Sequence, residues 1–194
     1  MPQTKIRQSR EESRQRIIDA AEDLIRERSY AALTVDEVMA QAGIGRTLFY
    51  RHFDDLGDLL LRAGRDAMDE LFAAQEMLAE RRERYSAESL REALAAAVGA
   101  YRRHGPILRA VAEAASDDDR IAAGQENIRR RFDEIVALAL QDAKAPVDDY
   151  GETARALNLL NENYLRDAFG SAPRVSEKVA VRTLTEIWQA VFRP

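Results

Sequence analysis

Residues 46–52, RTLFYRH, bring together two guanidinium groups, a hydroxyl, a phenol and an imidazole. An arginine fork fits two acceptors at once, on a guanine edge or a phosphate, and hydroxyl and phenol groups donate singly to phosphate oxygens. No bond need be made or broken by such a set; it is the donor inventory of a surface that grips a polyanion. The spacing predicts a short helix from Gly45 or Arg46 to His52 that keeps Leu48, Phe49 and Phe53 for packing and turns Arg46, Thr47, Tyr50 and Arg51 away.

A second element must hold that helix. Thr34 is placed to cap a helix, its hydroxyl accepting from the backbone N–H of Asp36 or Glu37, and both acids favour the positive helix end. Val35, Val38, Met39 and Ala42 then form an apolar stripe at helical spacing. Gly43 supplies a left-handed residue to end it, and Ile44 folds back over the corner. Two short helices and a tight turn over Thr34–Phe53 make a helix-turn-helix, the second helix shaped for a DNA groove.

With Thr34 to Phe53, TVDEVMAQAGIGRTLFYRHF, the chain resembles the TetR family of one-component bacterial regulators: the T-V-x-x-V helix, the A-G-I turn and the F-Y-x-H-F segment stand at the family spacing. The resemblance implies an all-α, nine-helix fold, with an N-terminal DNA-binding domain and a larger helical domain for ligand binding and dimerisation. It assigns Arg46 and Thr47 to base edges and Tyr50 and His52 to phosphates, with Thr34 donating to another. Leu48 is left to a thymine methyl or to the core. The family usually carries a lysine where this chain has Leu56, so one phosphate contact is missing, and Asp54 and Asp55 repel the DNA backbone unless capping occupies them.

Charge distribution supports this division. The net charge is −5, yet residues 1–53 carry +1 and residues 54–194 carry −6. The opening 16 residues stand at +3, and Lys5 and Arg7 within them belong to an arm able to meet phosphates or the minor groove. There is no cysteine, which excludes disulfides and thiolate metal sites. No run of about 18 apolar residues occurs and the N-terminus is polar, so neither a membrane span nor a secretory signal is expected. The expectation is a soluble cytoplasmic protein without metal or cofactor.

Along the chain, Ile17, Ala21, Leu24 and Ile25 mark a first helix from about Ser9 to Arg28 that backs the helix-turn-helix. Asp54 and Asp55 cap a long helix carrying Leu59, Leu60, Ala63, Ala67, Leu71 and Phe72. Ser86 caps a helix to about Arg103, where His104-Gly105-Pro106 is expected to break the chain before another from Ile107 to Ala115. The Asp117–Asp119 run opens a helix to about Lys144, Asp148 and Asp149 open one to Phe169, and a last helix spans Ser176 to Phe192. The domain boundary is set at 1–55 and 56–194.

The run ALNLLNENYLRDAF (Ala156 to Phe169), with TLTEIW (Thr183 to Trp188) after a proline-containing break, is similar to the ethionamide-resistance repressor branch of that family. That likeness implies an apolar tunnel with Asn158 and Asn161 as polar anchors; otherwise a neighbouring helix satisfies each amide. Both share a helix face with Leu165. Rough alignment adds Leu90, Leu94, Ala97 and Tyr101, then Ile128, Phe132 and Ile135, and Trp188, which belongs either to the tunnel or to a dimer interface. Pairing through the last two helices is what the family implies.

The function expected is a dimeric repressor that binds a palindromic operator and is released by a hydrophobic small-molecule effector. Two rivals stand beside it. One is a ligand-sequestering helical module with weak or no DNA binding. The other is an all-helical enzyme, opposed by the presence of only two histidines, His52 and His104, with no metal spacing, phosphate-cradling loop or nucleophile elbow.

Overall fold

In the computed structural model, residues 2–80 and 86–192 are described, with side chains at all of them except 2–9, 66 and 74–80. Among the described residues there are seven α-helices: α1 Pro2–Glu27, α2 Val35–Ala42, α3 Leu56–Glu80, α4 Ala87–Ala114, α5 Asp119–Asp142, α6 Tyr150–Phe169 and α7 Glu177–Phe192. Two 3-10 segments, Tyr30–Ala32 and Arg46–Arg51, complete it, and no strand occurs among the described residues. None of their helices is long and apolar enough to cross a membrane.

Side-chain caps set most of the helix starts. Thr34, Ser86, Asp118 and Asp149 each accept from a backbone N–H two or three residues on. Asp55 does the same for α3, taking the N–H of Asp58 at 2.8 Å.

The expected count of nine helices is corrected at one place. His104-Gly105-Pro106 does not break the chain; α4 runs unbroken for 28 residues with Pro106 inside it. An interior proline costs a helix about 3 kcal/mol through its lost N–H and its ring clash. Burial on both sides of the site outweighs that. Gly105, Pro106, Ile107 and Leu108 are all buried, and a Cβ on Gly105 would lie 2.1 Å from the Phe169 carbonyl oxygen. Gly105 is thus the point where α4 and the end of α6 meet backbone to backbone.

Two apolar cores result, and α4 belongs to both. The first gathers Ile17, Ile18, Ala21 and Ile25 of α1 with Val38 and Met39 of α2, Phe49 and Phe53, and Leu59, Leu60 and Ala63 of α3. Ile107, Ala110 and Ala114 of α4 and Ile121 of α5 close it. The second holds Leu90, Leu94, Val98 and Tyr101 from the first half of α4, with Val136 and Leu140 of α5, Leu157, Leu165 and Phe169 of α6, and Leu184 and Trp188 of α7.

Candidate nucleic-acid interface and apolar cavity

The helix-turn-helix is fixed at each joint by a nameable contact. Thr34 accepts from the Glu37 N–H at 3.3 Å while the Glu37 carboxylate accepts from the Thr34 N–H at 3.0 Å, a reciprocal cap that the T-x-x-E spacing encodes. Gly43 sits at φ +66°, in the left-handed region that favours glycine. The Ile44 N–H bonds back to the Met39 carbonyl, and Arg16 reaches from α1 to the Ala42 carbonyl at 2.6 Å. These close the carbonyls that the end of α2 leaves open.

The recognition segment is a 3-10 helix over Arg46–Arg51. Gly45 has no side chain to cap it, and the segment is anchored instead by burial of Phe49 and Phe53, whose rings lie 5.5 Å apart. Sinking two such rings contributes about 2–3 kcal/mol each. Arg46, Thr47, Tyr50 and Arg51 are consequently exposed. Leu48 is half-buried against the first core.

In the DNA-free chain these donors hold one another. Arg46 bonds both carboxylate oxygens of Asp36, at 2.7 and 2.8 Å, and donates to the Tyr50 hydroxyl at 3.3 Å with its guanidinium 5.9 Å from the ring centroid. The Tyr50 hydrogen bond, followed by the Asp36 charge, raises the Arg46 pKa. An ion pair this exposed adds little to stability, so the guanidinium is free to exchange it for other acceptors. Arg10 donates to the Arg51 carbonyl at 3.3 Å, bringing a cation of α1 to the end of the segment.

Two expected phosphate contacts are engaged elsewhere. His52 is buried, its Nε2 3.1 Å from the Ser13 hydroxyl, and burial followed by the Arg10 and Arg14 charges lowers its pKa. The Thr34 hydroxyl donates to Glu37 at 2.6 Å. Asp55 is occupied in capping and in an ion pair with Arg120 at 2.8 Å, while Asp54 gives only its N–H, to Asp58. Arg120 also holds Asp118, whose carboxyl falls to about 2 through that hydrogen bond. Leu56 packs against the first core. The side chains of Lys5 and Arg7 lie outside the described residues.

In the second half of the molecule, a cavity of about 180 Å³ opens between α3, α4, α5 and α6. Seven of the residues expected to line a tunnel line it: Ala97, Tyr101, Ile128, Phe132, Asn158, Asn161 and Leu165. Leu90, Leu94 and Trp188 are instead buried in the second core, and Ile135 is half-buried away from the cavity. Leu61, Gly64, Met68 and Leu71 of α3, and Leu108 and Val111 of α4, complete the apolar wall. Helical periodicity marks such residues as inward-facing, but it cannot separate a cavity wall from packed core. Arg129, Glu162 and Arg166 make a charged edge that sequence reasoning missed.

Both asparagines have protein partners. Asn158 donates to Asp133 at 2.8 Å, and Asn161 accepts from the Trp188 indole at 3.0 Å. Arg129 pairs with Glu126 at 2.9 Å and Glu162 at 3.2 Å, and Arg166 with Glu162 at 3.1 Å.

Residues 17–63 match the family described as bacterial regulatory proteins, tetR family. The whole chain is similar in fold to solved regulators. The TetR-family transcriptional regulator PfmR of Thermus thermophilus superposes with TM-score 0.75 at 21% identity, over 89% of this chain and 97% of that one. A transcriptional regulator of Aquifex aeolicus gives 0.71 at 13% identity, over 92% and 99%. A tetR-family transcriptional regulator of Streptomyces coelicolor gives 0.68 at 22% identity, over 93% and 80%. The segment that holds the helix-turn-helix thus matches the tetR family of bacterial regulatory proteins, and the whole chain shares the helical fold of solved transcriptional regulators.

Proposed function

We propose that the chain is a dimeric transcriptional repressor that binds a palindromic operator and leaves it when a hydrophobic small molecule enters the cavity. One observation supports this above the rest. Helix α4 lines the cavity with Ala97, Tyr101, Leu108 and Val111 and packs the DNA-binding core with Ile107, Ala110 and Ala114. A shift of that rod on ligand entry moves both regions together, and only a ligand that binds the two positions unequally can drive the change.

On DNA, Arg46 and Thr47 meet base edges, Leu48 adds a thymine-methyl contact, and Tyr50 and Arg51 hold phosphates, with Lys5 and Arg7 in the N-terminal arm. The two recognition segments of a dimer stand about 34 Å apart, one helical turn. The dimer forms through the last two helices, α6 and α7, where Leu160, Val179 and Ile187 are exposed apolar side chains. Residues 1–55 serve as the DNA-binding part and 56–194 as the ligand and dimer part, acting in the cytoplasm. Within the family, the ALNLLNENYLRDAF run ties the chain to the ethionamide-resistance repressor branch.

Selection of duplexes from a random pool tests this. Enrichment of a palindrome, binding that weakens with salt, and its loss in the Arg46→Ala/Tyr50→Ala protein with the dimer intact are expected. Binding no tighter than to random DNA would sink the repressor and favour a ligand-sequestering module.

A further inference from the structure

The most deeply buried polar side chain on the cavity wall carries a hydroxyl that the protein leaves open. Tyr101 is only 8% exposed and lines the cavity, and among the described residues no group hydrogen-bonds its hydroxyl. An unsatisfied buried hydroxyl is costly, and the structure offers no neighbour to relieve it. Of the other polar side chains at that wall, Asn158 is engaged on Asp133, the Asn161 carbonyl on Trp188, Arg129 on Glu126 and Glu162, and Arg166 on Glu162, while Gln125 is only half-buried.

Resting on the effector reading above, we propose that the cavity takes an uncharged, ring-sized apolar molecule bearing one carbonyl-type oxygen, which accepts a hydrogen bond from the Tyr101 hydroxyl. Size sets the first term. An apolar cavity of about 150 Å³ holds benzene, so about 180 Å³ holds a single ring with a short substituent. Charge sets the second. The two guanidinium groups at the cavity edge are matched by the carboxylates of Glu126 and Glu162, leaving no surplus positive charge for a carboxylate ligand. Protonation sets the third. Burial, then the nearby Glu162, pushes the Tyr101 phenol far up, so it stays a donor at neutral pH.

The protein carries its own reporter, because its single tryptophan, Trp188, donates to Asn161 on the cavity wall. Full-length protein and its Tyr101→Phe variant are titrated with acetophenone, with ethylbenzene of nearly the same shape, and with benzoate, following Trp188 emission and binding heat. The unmodified protein should bind acetophenone about five- to tenfold more tightly than ethylbenzene, the effect of one neutral hydrogen bond. Benzoate should bind more weakly than either. Tyr101→Phe should erase the preference, leave ethylbenzene affinity unchanged, and melt no lower than the parent, since it deletes a hydroxyl without a partner. An equal preference in both proteins, or tightest binding of benzoate, overturns the role given to Tyr101 while the cavity remains a ligand site. If neither aromatic binds, the cavity is no ligand site, and the effector half of the proposed function falls with it.

Discussion

Arg109 of α4 donates from Nη2 to the carbonyl oxygen of Ile25 at 2.8 Å, and so closes the end of α1 with a side chain from the other half of the molecule. The same guanidinium donates to the Gly170 carbonyl at 2.8 Å and pairs with Glu113 at 2.5 Å. Glu113 in turn accepts from the Tyr30 N–H at 3.2 Å, just beyond α1. One arginine therefore fastens the start of the helix-turn-helix domain, the rod α4 and the end of α6. Replacing it by methionine keeps the stem but strands the carbonyls of Ile25, Arg28 and Gly170 and the Glu113 carboxylate. A loss of about 3 kcal/mol in denaturant unfolding is expected, because each charged hydrogen bond removed costs roughly 1.5–3 kcal/mol, not additively.

On the proposed function, Asp36 competes with DNA for Arg46, which it holds in an ion pair at 2.7 Å. Asp36→Asn should weaken the ion pair and remove a negative charge from the groove-facing surface. Duplex affinity at low salt should rise several-fold while the urea midpoint stays that of the parent, as suits an exposed pair. Equal affinity in the two proteins would show that Arg46 does not approach the duplex.

His52 gives a pH signature. Its folded pKa is depressed, so between that value and the ordinary 6.5 the unfolded chain binds the extra proton and stability falls with acidity. The contribution is complete above pH 6.5 and is lost as pH falls below it. Glu22, raised by burial, has the opposite slope, so the comparison must be between proteins. His52→Gln should lose less stability than the parent between pH 7 and pH 5, measured by urea unfolding.

Gly105→Ala should cost about 2 kcal/mol or more, since its methyl would sit 2.1 Å from the Phe169 carbonyl and neither backbone can yield without parting α4 from α6. Gly124→Ala is the control; a Cβ there meets nothing within 4 Å, and stability should hold or rise.

Much of the first sixty residues was legible because local rules fix them. The cap at Thr34, the left-handed Gly43 and the inward Phe49 and Phe53 each follow from short-range spacing. Pro106 was misread for the same reason. Locally it ends a helix, and only the packing around it, with Gly105 set against the distant Phe169 and Ile107 and Leu108 buried, explains why it does not. The cavity was half legible. Ala97, Tyr101 and Phe132 lie on recognisable apolar faces, but the α3 wall and the pairing of Asn161 with Trp188, 27 residues apart, depend on how helices pack. The engagement of His52 by Ser13 was hidden likewise, since 39 residues separate them.

The unbroken course of α4 has one further consequence. A fragment ending at residue 55, or even at Glu80, would lack Ile107, Ala110, Ala114 and Ile121, and with them one wall of the apolar core beneath the recognition segment. Such a fragment would open a hydrophobic gash to water. The helix-turn-helix part is thus not an exchangeable cassette: hydrogen exchange at Val38 and at Val98 should slow to the same global limit, because neither half of this chain can melt while the other stays whole.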